Sequence, residues 1–463
     1  MESKQEITIA ALSTPEGKSG VAVIRTSGSQ CSVILKKVCA LKKIKPRTVK
    51  LSNFYDQKLK IIDRGLILFF KSPLSFTGED MLEFHVHGSP IVTRKIMKIL
   101  LSIKNVRSAF PGEFSKRAFL NKKIGLSNLE GINNLIHADT DTELQVASLQ
   151  AFGGLKKKFD EWKKLFIEIS SLIESHIEFS EDDPEIVQKD IKSKIKVLKN
   201  LIEVSIVSSK VFNEIKSGIP LVIFGPPNTG KSSLFNLINN NDRSIVSSVR
   251  GTTRDIISST NDFNGLKVNL IDSAGLHKTQ DTLEKIGTQK AKEIIMDSSL
   301  LILVLSPDKQ TDESLRLISQ IIKDSKKKIV VFYNKSDKKE GMKQKNLWTK
   351  KLPNLKKIPY LEISCKKEIQ NKEKYQNILD FIYINLLKKK TDRITYNPFT
   401  EIRHQECLKK SKNHLIYALE NIDSLEIVAE EVRQSKIEFE KIIGNIDNEE
   451  QLDFIFKTFC IGK

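Results

Sequence analysis

The sequence predicts a multidomain α+β protein: a small α/β N-terminal domain, a discontinuous all-α helical domain, and an α/β unit inserted between the two helical stretches. Three patterns predict it. Residues 1–122 mix short β-like runs with Gly/Pro turns. Residues 123–217 and 387–463 have helical spacing, and the two stretches are expected to pack together. Residues 218–386 alternate apolar strands with helices, as a parallel sheet requires. A chain of 463 residues is also too long for one core, so size alone predicts several domains.

Composition fits a globular chain, with 39% hydrophobic and 29% charged residues. The longest apolar runs, GLILFF (65–70) and LLILVL (300–305), fall far short of the roughly 20 residues a membrane helix needs, and read as buried strands. The opening MESKQEITIA has no apolar signal core and no Arg-rich amphipathic pattern, so the expected location is cytoplasmic, with no membrane partner. Cys31, Cys39, Cys365, Cys407 and Cys460 form no CxxC pair. That argues against a disulfide framework or zinc site and for a reducing compartment. The net charge of +19 leaves two readings open, a generally Lys-rich surface or a nucleic-acid face.

Along the chain, GVAVIRTSG (20–28) and RGLILFF (64–70) read as strands. SPIVTRKIMKILLS (89–102) has amphipathic helical spacing, with Ser89 as cap and Pro90 just inside it. In EDDPEI (181–186), Asp183 caps and Pro184 starts a long helix that runs to Lys216 and stops at Ser217-Gly218. KKKTDRITYNPF (388–399) is a basic connector, after which the helical pattern resumes.

The inserted unit carries the strongest motif. IPLVIFGPPNTGKSS (219–233) is an apolar strand, then Gly225-x4-Gly230-Lys231-Ser232, then an apolar helix: a phosphate-binding loop in its required context. Backbone N–H groups of Asn228, Thr229, Gly230 and the following residues wrap a phosphate, and the helix start through Ser233 adds positive potential. Lys231 supplies a charge to the β/γ oxygens, and Ser232 a hydroxyl for Mg²⁺. VNLIDSAG (268–275) ends a strand on Asp272, which holds Mg²⁺ through water, followed by Ser273, Ala274 and Gly275 near the γ-phosphate. RGTTRD (250–255) offers Thr253 as the second Mg²⁺ hydroxyl, from a switch loop. IVVFYNKSD (329–337) suits guanine: Asn334 and Asp337 meet the base edge and Lys335 packs along it. EISCK (362–366) supplies a Ser364–Cys365–Lys366 loop that reads the guanine oxygen. Four such motifs at strand ends predict a Ras-like P-loop GTPase domain specific for GTP over ATP.

The residue after DSAG is Leu276, which cannot orient water as a switch glutamine does, and no cis arginine finger is evident. Arg250 and Arg254 read equally well as switch-packing residues. GPPNTGKSS, GTTRD, DSAGL, NKSD, the terminal FCIGK, and the N-terminal FTGEDMLEFHVHGSP (76–90) and PGEFSKRAFLNKKI (111–124) together resemble the MnmE (TrmE) family of tRNA-modification GTPases, over essentially the whole chain. The resemblance implies a potassium ion in place of the arginine finger. Its ligands would be Asn228 and oxygens of Ser247, Val249 and Thr252, within a nucleotide-facing loop 247–253 that also includes Ser248, Arg250 and Gly251. It implies Glu284, in LEKIG (283–287), as the acid that orients water. From the residues alone, Glu284 is an ordinary acid at a helix start and Asn228 a turn-stabilising side chain.

The same resemblance implies that the first domain binds a tetrahydrofolate derivative, 5,10-methylene or 5-formyl, through Arg25, Glu83, Lys123 and Lys463, and mediates homodimerisation. Phe110 departs from the family, where Arg is usual before PGEF. His85 and His87 have metal-like spacing but no further ligands nearby in sequence. The terminal Cys460-Ile461-Gly462-Lys463 fits a prenylation box poorly. The better reading docks DFIFKTF (453–459) in the helical domain and delivers Cys460 and Lys463 to the folate pocket, within a chain or across a dimer. Cys460 is either a reactive thiol or packing. The implied function is a K⁺-dependent GTPase working with the FAD-dependent MnmG, as a heterotetramer, to add a carboxymethylaminomethyl or aminomethyl group to carbon 5 of the wobble uridine of certain tRNAs. The alternative is a ribosome-assembly switch GTPase, which would carry an RNA-binding appendage in place of a folate module.

Overall fold

The computed structural model describes residues 7–178, 184–239, 257–272, 293–308, 312–324, 326–338, 344–368, 372–388, 397–444, 449–459 and 462. Its contacts divide the chain into two units, residues 1–136, 149–192 and 413–463 in the first, and residues 137–148 and 193–412 in the second.

The first unit opens with β1 (Thr8–Leu12), β2 (Ser19–Ser27), α1 (Cys31–Cys39), β3 (Lys50–Tyr55), β4 (Ile61–Phe70), β5 (Met81–Gly88), α2 (Pro90–Leu101) and β6 (Val106–Ser108). The sheet order is β3-β4-β5-β2-β1-β6, antiparallel except for the β1–β6 pair. Strand periodicity decides what faces where. In β5, Leu82, Phe84 and Val86 are buried in the core formed with α1 and α2, which leaves Glu83 and His85 on the other face. The expected helix at 89–102 is α2; Ser89 stands at its N-cap but its side chain makes no cap bond.

The same unit continues into helices: α3 (Glu113–Leu120), α4 (Leu126–Ile136) and α6 (Gly154–Glu178), then Leu425–Glu440 and Glu449–Lys457; most of α5 (Asp141–Ala151) falls in the second unit. In α6 the buried residues are Leu155, Phe159, Trp162, Phe166, Ile169 and Ile173, a repeat alternating four and three that makes one narrow apolar stripe. Phe439 fills against that stripe. Its ring stacks on Phe159 with centroids 4.5 Å apart and on Trp162 at 5.5 Å.

The second unit contains most of α7 (Pro184–Ser217) and a six-stranded sheet: β7 (Ile219–Phe224), β8 (Ile257–Phe263), β9 (Leu266–Asp272), β10 (Leu300–Leu305), β11 (Lys328–Tyr333) and β12 (Tyr360–Glu362). The order is β12-β11-β10-β7-β9-β8, parallel but for β8, which runs antiparallel to β9. Every residue of β10 is buried, as expected for a strand covered on both faces. Ile302 and Val304 face the core holding Leu234 and Ile378, whereas Leu301, Leu303 and Leu305 face the one holding Trp348. The carboxyl ends of β7, β9, β10 and β11 therefore share one rim of the sheet, where an open α/β sheet places its ligand.

Candidate functional site

The loop after β7 leads into α8 (Lys231–Asn239). Asn228 takes a left-handed φ of 59°, a conformation asparagine tolerates better than most residues. Gly230 has φ 94°, and a Cβ there would lie 2.1 Å from Asn334 Nδ2, so both conformation and space demand glycine. Thr229 Oγ1 donates to the Pro226 carbonyl at 2.9 Å. Lys231 is buried and its Nζ donates to that same carbonyl at 2.8 Å. Burial pushes its pKa below the ordinary lysine value, with Asp272 acting in the opposite sense. An anion in this loop would restore the favoured charge.

Ser232 Oγ donates to Asp272 Oδ2 at 2.7 Å. Asp272 is the last residue of β9 and is 1% exposed. A hydroxyl and a carboxylate, both hard oxygen donors, thus meet beside the ammonium of Lys231. They fit a magnesium ion by chemistry.

The expected guanine residues form a brace. Asn334 Nδ2 donates to the Thr229 carbonyl at 2.9 Å, and Asn334 Oδ1 accepts from the Cys365 amide at 3.2 Å. Lys335 Nζ donates to the Asn228 carbonyl at 2.7 Å and meets Asp308 Oδ2 at 2.5 Å. Asp337 accepts from Ser364 Oγ at 2.7 Å, and that hydroxyl holds its carboxyl below the usual carboxylate range. The structure differs from the expected Ser364–Lys366 loop, because a short helix begins at Cys365 and runs to Glu368. Ending the loop early aims the Cys365 amide at Asn334.

Sequence reading missed the supports behind this brace. Ser306 Oγ donates to Asp308 at 2.9 Å, Trp348 Nε1 donates to the Ser306 carbonyl at 3.1 Å, and Gln344 Nε2 donates to the Asn334 carbonyl at 2.7 Å. Asp308 had a signal, since it follows the wholly apolar β10 at a strand end; Gln344 had none. Ser247, Ser248, Val249, Arg250, Gly251, Thr252, Thr253, Ser273, Ala274, Gly275, Leu276 and Glu284 lie outside the described residues. Ser233 is exposed in the first turn of α8, and Lys366 is exposed beside Cys365.

In the first unit, β2–β5 pairing sets Arg25 opposite Glu83. Arg25 Nε and Nη2 contact Glu83 Oε1 at 2.9 and 2.8 Å. Arg25 Nη1 donates to the Gly462 carbonyl at 3.1 Å, so the tail reaches this pair within one chain. Lys123 lines a cavity of about 660 Å³ with Gly28, Lys71, Gly78, Glu79 and Asp80. Lys463 and Cys460 lie outside the described residues. Phe456 and Phe459 of DFIFKTF are buried with Leu126, Leu129 and Leu452, which satisfies the docking expected of that segment. Phe110 lies under the Arg107 guanidinium, 4.7 Å from ring centroid to Cζ. His87 Nδ1 meets Asp63 at 2.7 Å and His85 sits 3.5 Å from Glu83; among the described residues no cluster of three or more His, Cys, Asp or Glu side chains could hold a metal.

A mostly parallel sheet with this loop at its rim, and an Asn-Lys-x-Asp brace across it, defines a GTP-binding protein of the P-loop class. Residues 8–123 match the family model for the N-terminus of the GTP-binding protein TrmE, and residues 126–460 match that for the MnmE helical domain. The chain belongs to the MnmE family of tRNA modification GTPases. Proteins with the name tRNA modification GTPase MnmE are similar along nearly all of it. That of Aquifex aeolicus is 33% identical over 463 residues, covering 98% of this chain and 99% of its own. That of Buchnera aphidicola subsp. Cinara cedri is 37% identical, covering 98% and 99%. That of Rickettsia prowazekii is 36% identical, covering 98% and 100%. No helix among the described residues is long and apolar enough to cross a membrane.

Proposed function

We propose that this protein hydrolyses GTP to drive modification of the wobble uridine in certain tRNAs. The Ser232–Asp272 pair beside buried Lys231 carries the hydrolytic half of this reading, because it juxtaposes a metal-type oxygen pair and a phosphate-type cation. Membership of the MnmE family supports the tRNA half.

Lys231 binds the phosphates and offsets their negative charge, and Asn334, Lys335 and Asp337 select guanine. Magnesium would be held by Ser232, Thr253 and, through water, Asp272; potassium by Asn228 with oxygens of Ser247, Val249 and Thr252. Bound there, the two cations supply positive charge against the phosphates as the γ-phosphoryl leaves. Glu284 orients the attacking water in place of the absent glutamine, since position 276 is leucine.

In the N-terminal domain, Arg25, Glu83, Lys123 and Lys463 take a tetrahydrofolate derivative as one-carbon donor. The protein acts as a homodimer in the cytoplasm, in a heterotetramer with an FAD-containing partner of the MnmG type. The product carries an aminomethyl or carboxymethylaminomethyl group at carbon 5 of uridine. Its domains are 1–122, a helical domain of 123–217 with 387–463, and the GTPase insertion 218–386. Nucleoside analysis of tRNA from a deletion strain tests the reading: the 5-substituted wobble uridine should disappear, and an unchanged nucleoside profile would refute it.

A further inference from the structure

Two donors of the N-terminal unit converge on a single carbonyl of the tail. Ser13 Oγ donates to the Gly462 oxygen at 3.1 Å, and Arg25 Nη1 donates to the same oxygen at 3.1 Å. Together they use the acceptor capacity of that carbonyl. The Arg25 guanidinium is divided: its Nε and Nη2 are committed to Glu83, which leaves Nη1 for the tail.

Ser13 is itself held. It follows β1, its amide donates to the Val23 carbonyl at 2.8 Å, and its neighbour Thr14 accepts from the Val23 amide at 3.2 Å. Gly462 fits the spot for an independent reason. Its φ is 87°, and a Cβ there would lie 2.8 Å from both the Leu12 carbonyl oxygen and Ser13 Cα. A larger residue would be pushed off the β1 end by backbone, which cannot yield as a flexible side chain can. Upstream, burial of Phe456 and Phe459 delivers the tail to this point.

We propose that Ser13 is a positioning residue of the N-terminal site. With Arg25 it seats the tail of its own chain at Gly462, and so fixes the tail beside the Arg25–Glu83 pair; the proposal rests on the folate reading above, which assigns that pair to the ligand. Without the Ser13 hydroxyl, Gly462 depends on a guanidinium that Glu83 also claims, and the tail lifts.

The test uses the full chain as wild type, Ser13→Ala, Ser13→Thr and Gly462→Ala. Two quantities are measured: amide hydrogen exchange of the 456–463 peptide without ligand, and equilibrium binding of 5-formyltetrahydrofolate. Ser13→Ala should speed exchange of the tail and weaken folate binding roughly threefold to tenfold, the range one hydrogen bond commands. Ser13→Thr keeps the hydroxyl and should restore both, which a general defect in folding would not do. Gly462→Ala should resemble Ser13→Ala. Unaltered exchange in Ser13→Ala overturns the proposal, as does faster exchange with unchanged folate affinity. A wild type that binds no 5-formyltetrahydrofolate defeats the folate reading and the positioning role with it; the exchange data then show separately whether Ser13 holds the tail.

Discussion

The side-chain amide of Asn334 donates to the backbone carbonyl of Thr229 across 2.9 Å, joining the loop after β11 to the loop after β7. Both groups are buried, and Asn334 is also fixed through the Cys365 amide and Gln344. On the proposed function, base recognition and phosphate recognition therefore share one side chain.

Replacing Asn334 should harm more than base selection. Asn334→Ala leaves the Thr229 carbonyl and the Cys365 amide without this partner, at a cost of about 1–3 kcal/mol for a buried unsatisfied group. GDP and GTP affinity should fall together by roughly tenfold to a hundredfold. Titration with fluorescent nucleotides checks this; loss of GTP affinity alone would contradict it.

Lys231 makes nucleotide-free stability depend on pH. Burial holds its folded pKa below the ordinary 10.5, so between the two values the unfolded chain binds the proton more readily. Stability of the nucleotide-free protein should rise as pH climbs through that window, and GTP affinity should fall over it as the ammonium is lost. Lys231→Met should flatten both dependences, raise stability without nucleotide and abolish tight GTP binding. Thermal denaturation across alkaline pH, with and without GTP, reads all of these.

Asp337 gives an acid-side counterpart. The Ser364 hydroxyl keeps its carboxyl ionised to lower pH than usual, so preference for GTP over a nucleotide lacking the exocyclic amine should persist into mild acid. Ser364→Ala should move loss of that preference to higher pH. Competition between GTP and ITP along a pH series measures the shift.

On the proposed mechanism, Glu284→Ala should retain GTP binding yet lose hydrolysis by about a hundredfold or more. Wild-type turnover should be faster in K⁺ than in Na⁺. Single-turnover assays in the two salts decide both points, and undiminished turnover in the variant would remove Glu284 from the reaction.

In the helical part of the first unit, Phe439→Ala should cost about 3–5 kcal/mol, because the ring is fully buried on Phe159 and Trp162. A lowered denaturant midpoint, followed by the fluorescence of Trp162, is the expected observation.

The nucleotide site was legible because its parts are short, contiguous and fixed to strand ends: a strand and loop at 219–233, an acid at 272, a brace at 334–337. The β-strand at 300–305 was legible for the opposite reason, as an unbroken apolar run that only a doubly covered strand supports. The pairing of Arg25 with Glu83 was not legible from residues alone. It depends on the register of two strands 58 positions apart in sequence, which local patterning does not encode. The same holds for Asp308, whose partner Lys335 arrives on a different strand end, and for Gln344, one of several polar residues in a Lys-rich stretch. Ser89 shows a subtler gap: cap identity and helix start were readable, the cap bond was not. The tail was readable as an apolar segment seeking a core, but its landing on Ser13 and Arg25 required the fold.

The sheet of the second unit ends in β12 on one side and β8 on the other. Open edges of this kind invite strand-to-strand aggregation between molecules. Here β12 is only three residues long, and β8 (ISSTNDF) is polar, with Ser259 and Asn261 both bonded to the Asn239 side chain. Neither border offers an apolar template, so concentrated preparations should be spared the fibrous self-association that a longer, greasier margin would promote.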